Sequence, residues 1–452
     1  MEEDRVVLSS LEVKKLYDHF DYDVKFNRDV TFLFGSNGCG KTTILNIITA
    51  IITGNLYKLF SFKFESLCLG YYDDNKGDIQ NISISLHENG KLIVSFKGSS
   101  AEISQIPISD EMRRRGEAVG KNYFAEYPLL SEIRSEFNYV YLALNRAISI
   151  SDEEDDYYLR FIRRQPVYMF EDCDIVEPEI KDKEIQYIEN LISRRYTTAT
   201  SNTARINNNF RDQILKSSLD VNVQTDFYQM MDEFGKSRIN KKPIIEIKNS
   251  YIKILRDLHL LSIEEEKQYN VFFESYIKKI ENLSDEYKIE QLVNIFMEYS
   301  EMTKIKKIVS IAAETEKQKA KILKPIETFL KTINEFITTS DIEKKIGIDV
   351  NGRVFFTTET NLQHLSIQYL SSGERQLLIF FANLIFGVKD ITSGIFVVDE
   401  PELSLHLSWQ KIFVSKTLEL NSNVQLIFAT HSPEIIGKYR NKSFKLVRKT
   451  VN

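Results

Sequence analysis

Val30-Thr31-Phe32-Leu33-Phe34-Gly35-Ser36-Asn37-Gly38-Cys39-Gly40-Lys41-Thr42-Thr43-Ile44-Leu45 reads as one strand, one loop and the start of one helix. Val30 to Phe34 is a short apolar run of the kind a buried strand has. The loop after it has the spacing G-x-x-x-x-G-K-T. Apolar residues return at Ile44, Leu45, Ile47 and Ile48, the spacing of a helix face. Glycines let such a loop curl until successive N–H groups converge on phosphate oxygens; Lys41 then reaches the β- and γ-phosphates, and the Thr42 hydroxyl can ligate Mg²⁺. A helix from Lys41 to about Ile52 aims its positive end at the same anion. Ser36, Asn37, Gly38, Cys39, Gly40, Lys41, Thr42 and Thr43 are therefore the expected phosphate cradle. Cys39 sits where the backbone does the binding, so its thiol reads as a tolerated side chain rather than a redox switch.

Two strings late in the chain supply what this cradle lacks. Ile395-Phe396-Val397-Val398-Asp399-Glu400-Pro401 is an apolar strand with two carboxylates at its tip. Asp399 is the expected metal-holding carboxylate, usually through water, and Glu400 the expected general base for an attacking water. Val424 to Ala429 makes another buried strand, ending in Thr430-His431-Ser432-Pro433, where His431 is placed to contact a γ-phosphate. Just before these lies Leu370-Ser371-Ser372-Gly373-Glu374-Arg375-Gln376.

In order and spelling these motifs resemble the ABC-type ATPase superfamily. The matching parts are the P-loop, the signature LSSGERQ, Walker B with DEPE, a D-loop at Glu402-Leu403-Ser404-Leu405-His406 and a switch histidine in ATHSPE. DEPELSLH and ATHSPEII look like the SMC, RecF and OLD-like branch rather than transporter subunits, and Glu374, where transporters carry Gln, suits that branch. The resemblance implies an α/β fold: an ABC-type P-loop ATPase head with an antiparallel β flank and a large helical insertion. It implies ATP and Mg²⁺ as cofactors, with Lys41, Thr42, Asp399, Glu400 and His431 acting in cis. Ser371, Ser372 and Gly373 would face the ATP of a second subunit, so the implied unit is a homodimer closed around two ATPs. The Q-loop glutamine has no assignment; Gln80, Gln105, Gln165 and the turn at Asn145-Arg146 are the candidates. Tyr17, Phe20 and Tyr22 are candidates for stacking on adenine, with core or surface aromatics the competing reading.

Organisation follows from the same patterns. Residues 1–150 read as the first ATPase lobe, 151–346 as a helical insertion and 347–452 as the second lobe. Val6 to Val13 is expected as an edge strand, and Phe20 to Phe26 alternates with period two. Ile82–Leu86 and Lys91–Phe96 flank Asn89-Gly90, a hairpin signal. The acidic run Ser151 to Asp156 ends the first lobe. Apolar pairs at helical spacing (Phe272/Phe273, Tyr276/Ile277, Ile280, Leu283; Ile322/Leu323, Ile326, Phe329/Leu330, Ile333, Phe336/Ile337) predict packing faces in a compact bundle or short hairpin. Pro243 and Pro325 are expected to interrupt its helices, and Thr197 to Asn209, rich in Thr, Asn and Ser, to form a loop. From Ile348 the sheet is expected to resume, with a turn at Asn351-Gly352, and Phe444 to Val447 reads as a last strand.

Composition bounds the function. The chain has 452 residues, 42% hydrophobic and 27% charged, which fits a soluble globular protein of two or three folding units. No apolar run approaches a membrane span, and the acidic start MEEDRVV is no signal peptide. Three scattered cysteines without metal spacing fit a reducing cytoplasm. A net charge of −6 argues against the whole protein being an electrostatic DNA binder. Arg113 to Arg115, Arg163-Arg164, Arg194-Arg195 and Lys304 with Lys306-Lys307 read as solvated faces, with a nucleic-acid patch on an oligomer as the competing reading.

The stretch after the switch motif is too short for the metal-dependent nuclease domain that OLD-type nucleases carry. The layout is similar to the ATPase subunits of bacterial anti-phage systems, PARIS-type first and Septu-type second. That similarity implies a sensor that closes on ATP, assembles into a higher homo-oligomer and controls a separately encoded toxic effector, a nuclease. Nucleic acid is a possible partner but not a required one, and a membrane is not expected. The alternative is a RecF- or Rad50-like repair ATPase that clamps DNA directly. A transporter subunit is disfavoured by the long insertion and by DEPELSLH.

Overall fold

The computed structural model describes residues 6–36, 38–74, 77–87, 89–105, 126–137, 139–143, 180–219, 241–258, 260–281, 289–338, 344–386, 394–420, 423–446 and 449–450. The acidic run 151–156, Arg113 to Arg115, Arg163-Arg164, Asn145-Arg146, Gln165, Leu283 and Asn37 lie outside them. The chain divides into two units, Met1–Arg195 with Thr328–Asn452, and Tyr196–Glu327.

β3 (Val30–Phe34) is a run of β-branched and aromatic residues with four of its five positions buried. It needs neighbours on both sides, and it has them in a five-stranded parallel sheet of order β14-β3-β13-β12-β8. The others are β8 (Tyr139–Ala143), β12 (Gly394–Asp399), β13 (Val424–Thr430) and β14 (Ser443–Lys445). Such a sheet is buried on both faces, which is why its strands are continuous apolar runs. Alternation sends Leu33, Ile427, Ala429, Ile395 and Val397 into one core with α1 (Lys41–Ile52), which α2 (Pro128–Glu136) joins through Leu130 and Ile133. Phe32 and Phe428 stack at 5.6 Å on the opposite face, where Phe380 of α7 (Ser372–Phe386) and Phe413 of α8 (Leu407–Leu420) continue the aromatic layer. Each of these buried aromatics or aliphatics contributes about 1.5–3 kcal/mol.

The other side of α1 is covered by a seven-stranded antiparallel sheet of order β15-β2-β1-β4-β5-β6-β7. Its strands are β1 (Val6–Leu16), β2 (Phe20–Lys25), β4 (Ser66–Asp73), β5 (Ile79–Leu86), β6 (Leu92–Phe96), β7 (Ser99–Ile103) and β15 (Lys449–Thr450). This is the expected flank, and the Asn89-Gly90 hairpin joins β5 to β6 as its spacing predicts. β1 is not an edge strand: it pairs with β2 and β4 along its length. Nothing local in Val6 to Val13 distinguishes the two positions, because β4 comes from far along the chain. Gln425, fully buried on β13, joins the two sheets, accepting from Leu8 N–H and donating to the carbonyls of Leu8 and Asn27, each at 2.7–2.8 Å.

β9 (Lys344–Ile348) and β10 (Val354–Thr358) meet at the expected Asn351-Gly352 turn. They do not resume the large sheet. With β11 (Asn361–Ser366) they form a separate three-stranded sheet, β9 being held on its outer side by the Asn334 amide, which bonds both N–H and C=O of Ile346.

The second unit is helical, with α3 (Ile180–Leu219) and α6 (Ile289–Ile337) entering and leaving it and α4 (Lys241–Asp257) and α5 (Ile263–Glu281) between. Tyr251, Phe273, Tyr276, Ile280, Met302 and Ile305 make its core, with Phe273, Tyr276 and Ile280 on a stripe that helical periodicity predicts. Thr197 to Asn209 is helix, not loop. Ala199 and Phe210 are buried there, and the Thr200 and Thr203 hydroxyls bond back to the carbonyls of Tyr196 and Ala199, so polar side chains that favour loops are satisfied within the helix. α6 also runs on through Pro325, and Pro243 lies within α4. In a helix of 49 residues the bond lost to one proline is outweighed by the buried face, with Ile326, Phe329, Ile333 and Phe336 on the turns beside it. Among the described residues no helix is long and apolar enough to cross a membrane.

Candidate active site

The register of the parallel sheet gathers the motifs at one end. Phe34 pairs with Thr430, and Ala429 with Asp399, so the P-loop, the switch segment and the paired carboxylates leave neighbouring strands together. The carboxyl ends of parallel strands are where open α/β sheets bind ligands.

The cradle is built from below. Gly40 caps α1 with φ 98°, and a Cβ added there would lie 2.8 Å from the Tyr22 hydroxyl oxygen. Tyr22 is itself buried, and its hydroxyl donates to the Cys39 carbonyl at 3.0 Å. Tyr22 therefore props the loop and is not free to stack on a base. Phe20 packs against the core, while Tyr17 is 45% exposed. Cys39 is a buried free thiol beside Gly35. Ser36 is exposed, and Thr42 and Thr43 are half-buried on the first turn of α1.

Lys41 is only 5% exposed, and its ammonium meets four partners: Gly35 O at 3.1 Å, Ser36 O at 3.3 Å, His431 Nδ1 at 3.4 Å and Cys39 Sγ at 4.0 Å. An ammonium has three donors and no acceptor. In a Lys41–His431 hydrogen bond Nδ1 is therefore the acceptor, and the other ring nitrogen, Nε2, lies 3.5 Å from Glu400 Oε1. His431 thus bridges Lys41 and Glu400.

Glu400 holds φ 48°, a region that costs a side-chain-bearing residue of order 1–3 kcal/mol. Its N–H donates to Ala429 O at 2.8 Å, and its carbonyl takes the Leu403 N–H at 3.3 Å. These bonds turn the chain sharply after Asp399 and aim the carboxylate at His431.

Glu402 makes contacts that its motif, the D-loop, does not announce. Its carboxylate accepts from Thr430 Oγ1 at 2.8 Å, His431 N–H at 2.6 Å and Ser432 N–H at 3.2 Å. Gln410 braces the same corner, accepting from Ser432 Oγ at 2.6 Å and donating to Leu405 O at 2.9 Å. The residues Glu402 holds lie 28 to 30 positions away, so no local spacing announces the contact.

Ser371, Ser372 and Gly373 make their described contacts elsewhere. Ser371 and Glu374 form a capping box: Ser371 N–H to Glu374 Oε2 at 2.7 Å and Glu374 N–H to Ser371 Oγ at 3.3 Å. Glu374 is buried and takes Lys344 Nζ at 2.9 and 3.0 Å. Gly373 packs so tightly on the D-loop that an added Cβ would lie 2.3 Å from Ser404 O. Both serines are exposed. Arg195, from one of the basic pairs, donates to Phe386 O at the end of α7 and so has a structural task. Gln80 lies on β5 opposite Tyr71, and Gln105 follows β7.

The donor set suits a metal carried by a nucleotide. Thr42, on the first turn of α1, and Asp399, at the tip of β12, are hard oxygen donors. Among the described residues no three His, Cys, Asp or Glu are grouped to hold an ion by themselves. Mg²⁺ in nucleotide sites asks only one or two protein oxygens, the rest coming from phosphate and water.

Comparison with known proteins fits this geometry. The AAA ATPase domain family matches residues 7–436. The Retron Vc95 probable ATPase of Vibrio cholerae serotype O1 biovar El Tor is 24% identical over 40% of this chain and 38% of its own length. Endonuclease GajA of Bacillus cereus (strain HuB5-5) is 22% identical over 92% of this chain and 53% of its own. The Retron Ec83 probable ATPase of Escherichia coli is 30% identical over 20% of this chain and 18% of its own. The chain thus spans about half or less of these relatives. Among solved structures, the Smc head domain of Pyrococcus furiosus bound to the C-terminal domain of ScpA aligns with TM-score 0.41 and 12% identity, over 99% of this chain and 96% of that one. The recombination mediator RecF aligns with TM-score 0.35 and 13% identity, over 100% and 99%. Likeness at that level adds nothing to what the strand order shows. With the match running through nearly all of the sequence, the chain belongs to the AAA ATPase domain family.

Proposed function

We propose that this ATPase binds MgATP through residues 36–43, hydrolyses it with Glu400 as general base, and uses the cycle to regulate a separately encoded effector in a bacterial anti-phage system. The observation that carries the reading is the bridge from Lys41 through His431 to Glu400 at the mouth of the phosphate loop. Backbone N–H groups and Lys41 would take the phosphates, and Thr42 and Asp399 would hold Mg²⁺, which when bound would neutralise charge on the phosphate oxygens. Glu400 orients a water and takes its proton. His431, with its Nε2 toward Glu400, keeps that carboxylate facing the γ-phosphate position.

The regulatory part rests on the company of relatives, two named as retron ATPases and one as an endonuclease, together with a layout similar to that of PARIS- and Septu-type ATPases. On this reading the exposed Ser371-Ser372 edge meets the ATP of a second subunit, giving a homodimer that builds larger assemblies.

Glu400→Gln tests the chemistry. Single-turnover hydrolysis is expected to fall by about 10²–10⁴-fold, the contribution of a positioned base, while a fluorescent ATP analogue still binds and light scattering shows ATP-held dimers. Undiminished hydrolysis would remove Glu400 from the role. Affinity capture of the same variant from its host, after nuclease treatment, is expected to bring down a stoichiometric protein effector; recovery of nucleic acid alone would replace the regulator with a DNA clamp.

A further inference from the structure

β13 ends at Thr430, one residue short of the switch histidine. A short tether then leads into α9 (Pro433–Ile436), begun by Ser432, whose hydroxyl accepts the N–H groups of Glu434 and Ile435. Between strand and helix, the N–H groups of His431 and Ser432 and the hydroxyl of Thr430 all converge on one side chain, Glu402. That side chain belongs to the D-loop, whose Ser404 carbonyl oxygen lies 2.3 Å from where a Cβ on Gly373, at the head of α7, would stand.

We propose that Glu402 is a positioning residue for hydrolysis: it clamps the backbone of His431 so that the imidazole bridges Lys41 and Glu400, and it ties that bridge to the signature helix. The inference deepens the ATPase reading above and rests on it. A carboxylate is suited to the task because it offers two oxygens and no donor. One oxygen takes both backbone N–H groups and the other takes the hydroxyl, so the peptide carrying His431 cannot rotate without breaking three charge-assisted bonds. Gln410 closes the corner by bonding the Ser432 hydroxyl and the Leu405 carbonyl. A shift of Ser404, pressed by α7, would therefore move Glu402 and with it the ring between lysine and base.

Glutamine can keep this arrangement. Its carbonyl oxygen serves the two N–H groups, and its amide donates to Thr430 Oγ1, which already accepts the Ser432 N–H at 3.0 Å and takes this second bond in place of its own donation. Alanine cannot. Glu402→Ala is expected to lower kcat by about 10- to 100-fold, the penalty of a slightly misplaced reacting group, with KM for ATP within a factor of about three. Glu402→Gln recovers most of that loss. Because Glu402 acts through the histidine, adding Glu402→Ala to His431→Ala costs less than about twofold more. Multiplying losses in the double variant would overturn the proposal, as would a Glu402→Gln no better than Glu402→Ala. Amide hydrogen exchange of the peptide spanning Thr430–Ser432, which needs no turnover, is protected in the parent and in Glu402→Gln and is released in Glu402→Ala; unchanged protection in Glu402→Ala would equally overturn it. A parent protein that does not turn over ATP would instead overturn the ATPase reading, and the catalytic part of this proposal with it.

Discussion

The Tyr22 hydroxyl donates to the carbonyl oxygen of Cys39 at 3.0 Å, so a strand of the antiparallel flank holds the phosphate loop from beneath. Tyr22→Phe removes the donor and leaves a buried carbonyl without that bond, a cost of about 1–3 kcal/mol. Part of it falls on the loop itself. We expect a several-fold weaker Kd for a fluorescent ATP analogue, with kcat at saturation little changed. A variant that binds nucleotide as tightly as the parent would show that the loop keeps its shape without Tyr22.

Gly373 has no room for a side chain, because the atom facing it is a backbone oxygen and not the movable end of a side chain. Gly373→Ala must displace either α7 or the D-loop turn. Overpacking of this kind costs about 1–3 kcal/mol. The denaturant midpoint should fall, whereas Ser372→Ala, at an exposed neighbour, should leave it unchanged. Equal midpoints for the two variants would mean the contact is slack.

Gln425→Leu is nearly isosteric but strips the amide that joins Leu8 and Asn27 to β13. Three backbone groups lose a partner, at about 1–3 kcal/mol for each that water cannot reach. A loss of about 3 kcal/mol in urea unfolding is the expected result, and a loss under about 1 kcal/mol would indicate that water enters the seam.

Asp29 offers a pH test. Burial raises its pKa, but the Lys442 ammonium and backbone N–H groups outweigh that and hold it below the ordinary 3.8. A carboxyl with a depressed folded-state value stabilises fully above its unfolded value and loses that contribution as the pH falls through the folded one. Asp29→Asn should therefore lower Tm at neutral pH and make progressively less difference below about pH 3.8. The pair is part-exposed, so the neutral-pH effect is about 1 kcal/mol or less. A difference from the parent that does not shrink in acid would assign the effect to packing.

The parts of this fold legible in the sequence are those whose causes are local. Val30 to Phe34, the glycine spacing and the Ile44–Ile48 face sit within one short stretch, so β3, the loop and α1 can be drawn with their ends. Asp399, Glu400 and His431 are likewise marked by the strands that carry them. Pairing is not legible. β1 reads as an edge because its second neighbour, β4, lies beyond an intervening helix, and β9 to β11 read as part of the main sheet because strand patterns do not say which sheet they join. Thr197 to Asn209 misleads for a related reason: its weak helix propensity is overridden by Ala199 and Phe210, whose burial depends on the tertiary fold. Glu402 is hidden by the distance to the residues it holds.

The order β14-β3-β13 has a consequence for how this molecule is made. The strand bearing the phosphate loop leaves the ribosome long before either strand that flanks it, since both are encoded far downstream. Until they emerge, β3 is an apolar segment with two open edges, a form prone to stray pairing. His431 and the two carboxylates arrive equally late. A nascent chain therefore holds neither neighbour of β3, nor the carboxylates and histidine beside it, until its C-terminal strands are made.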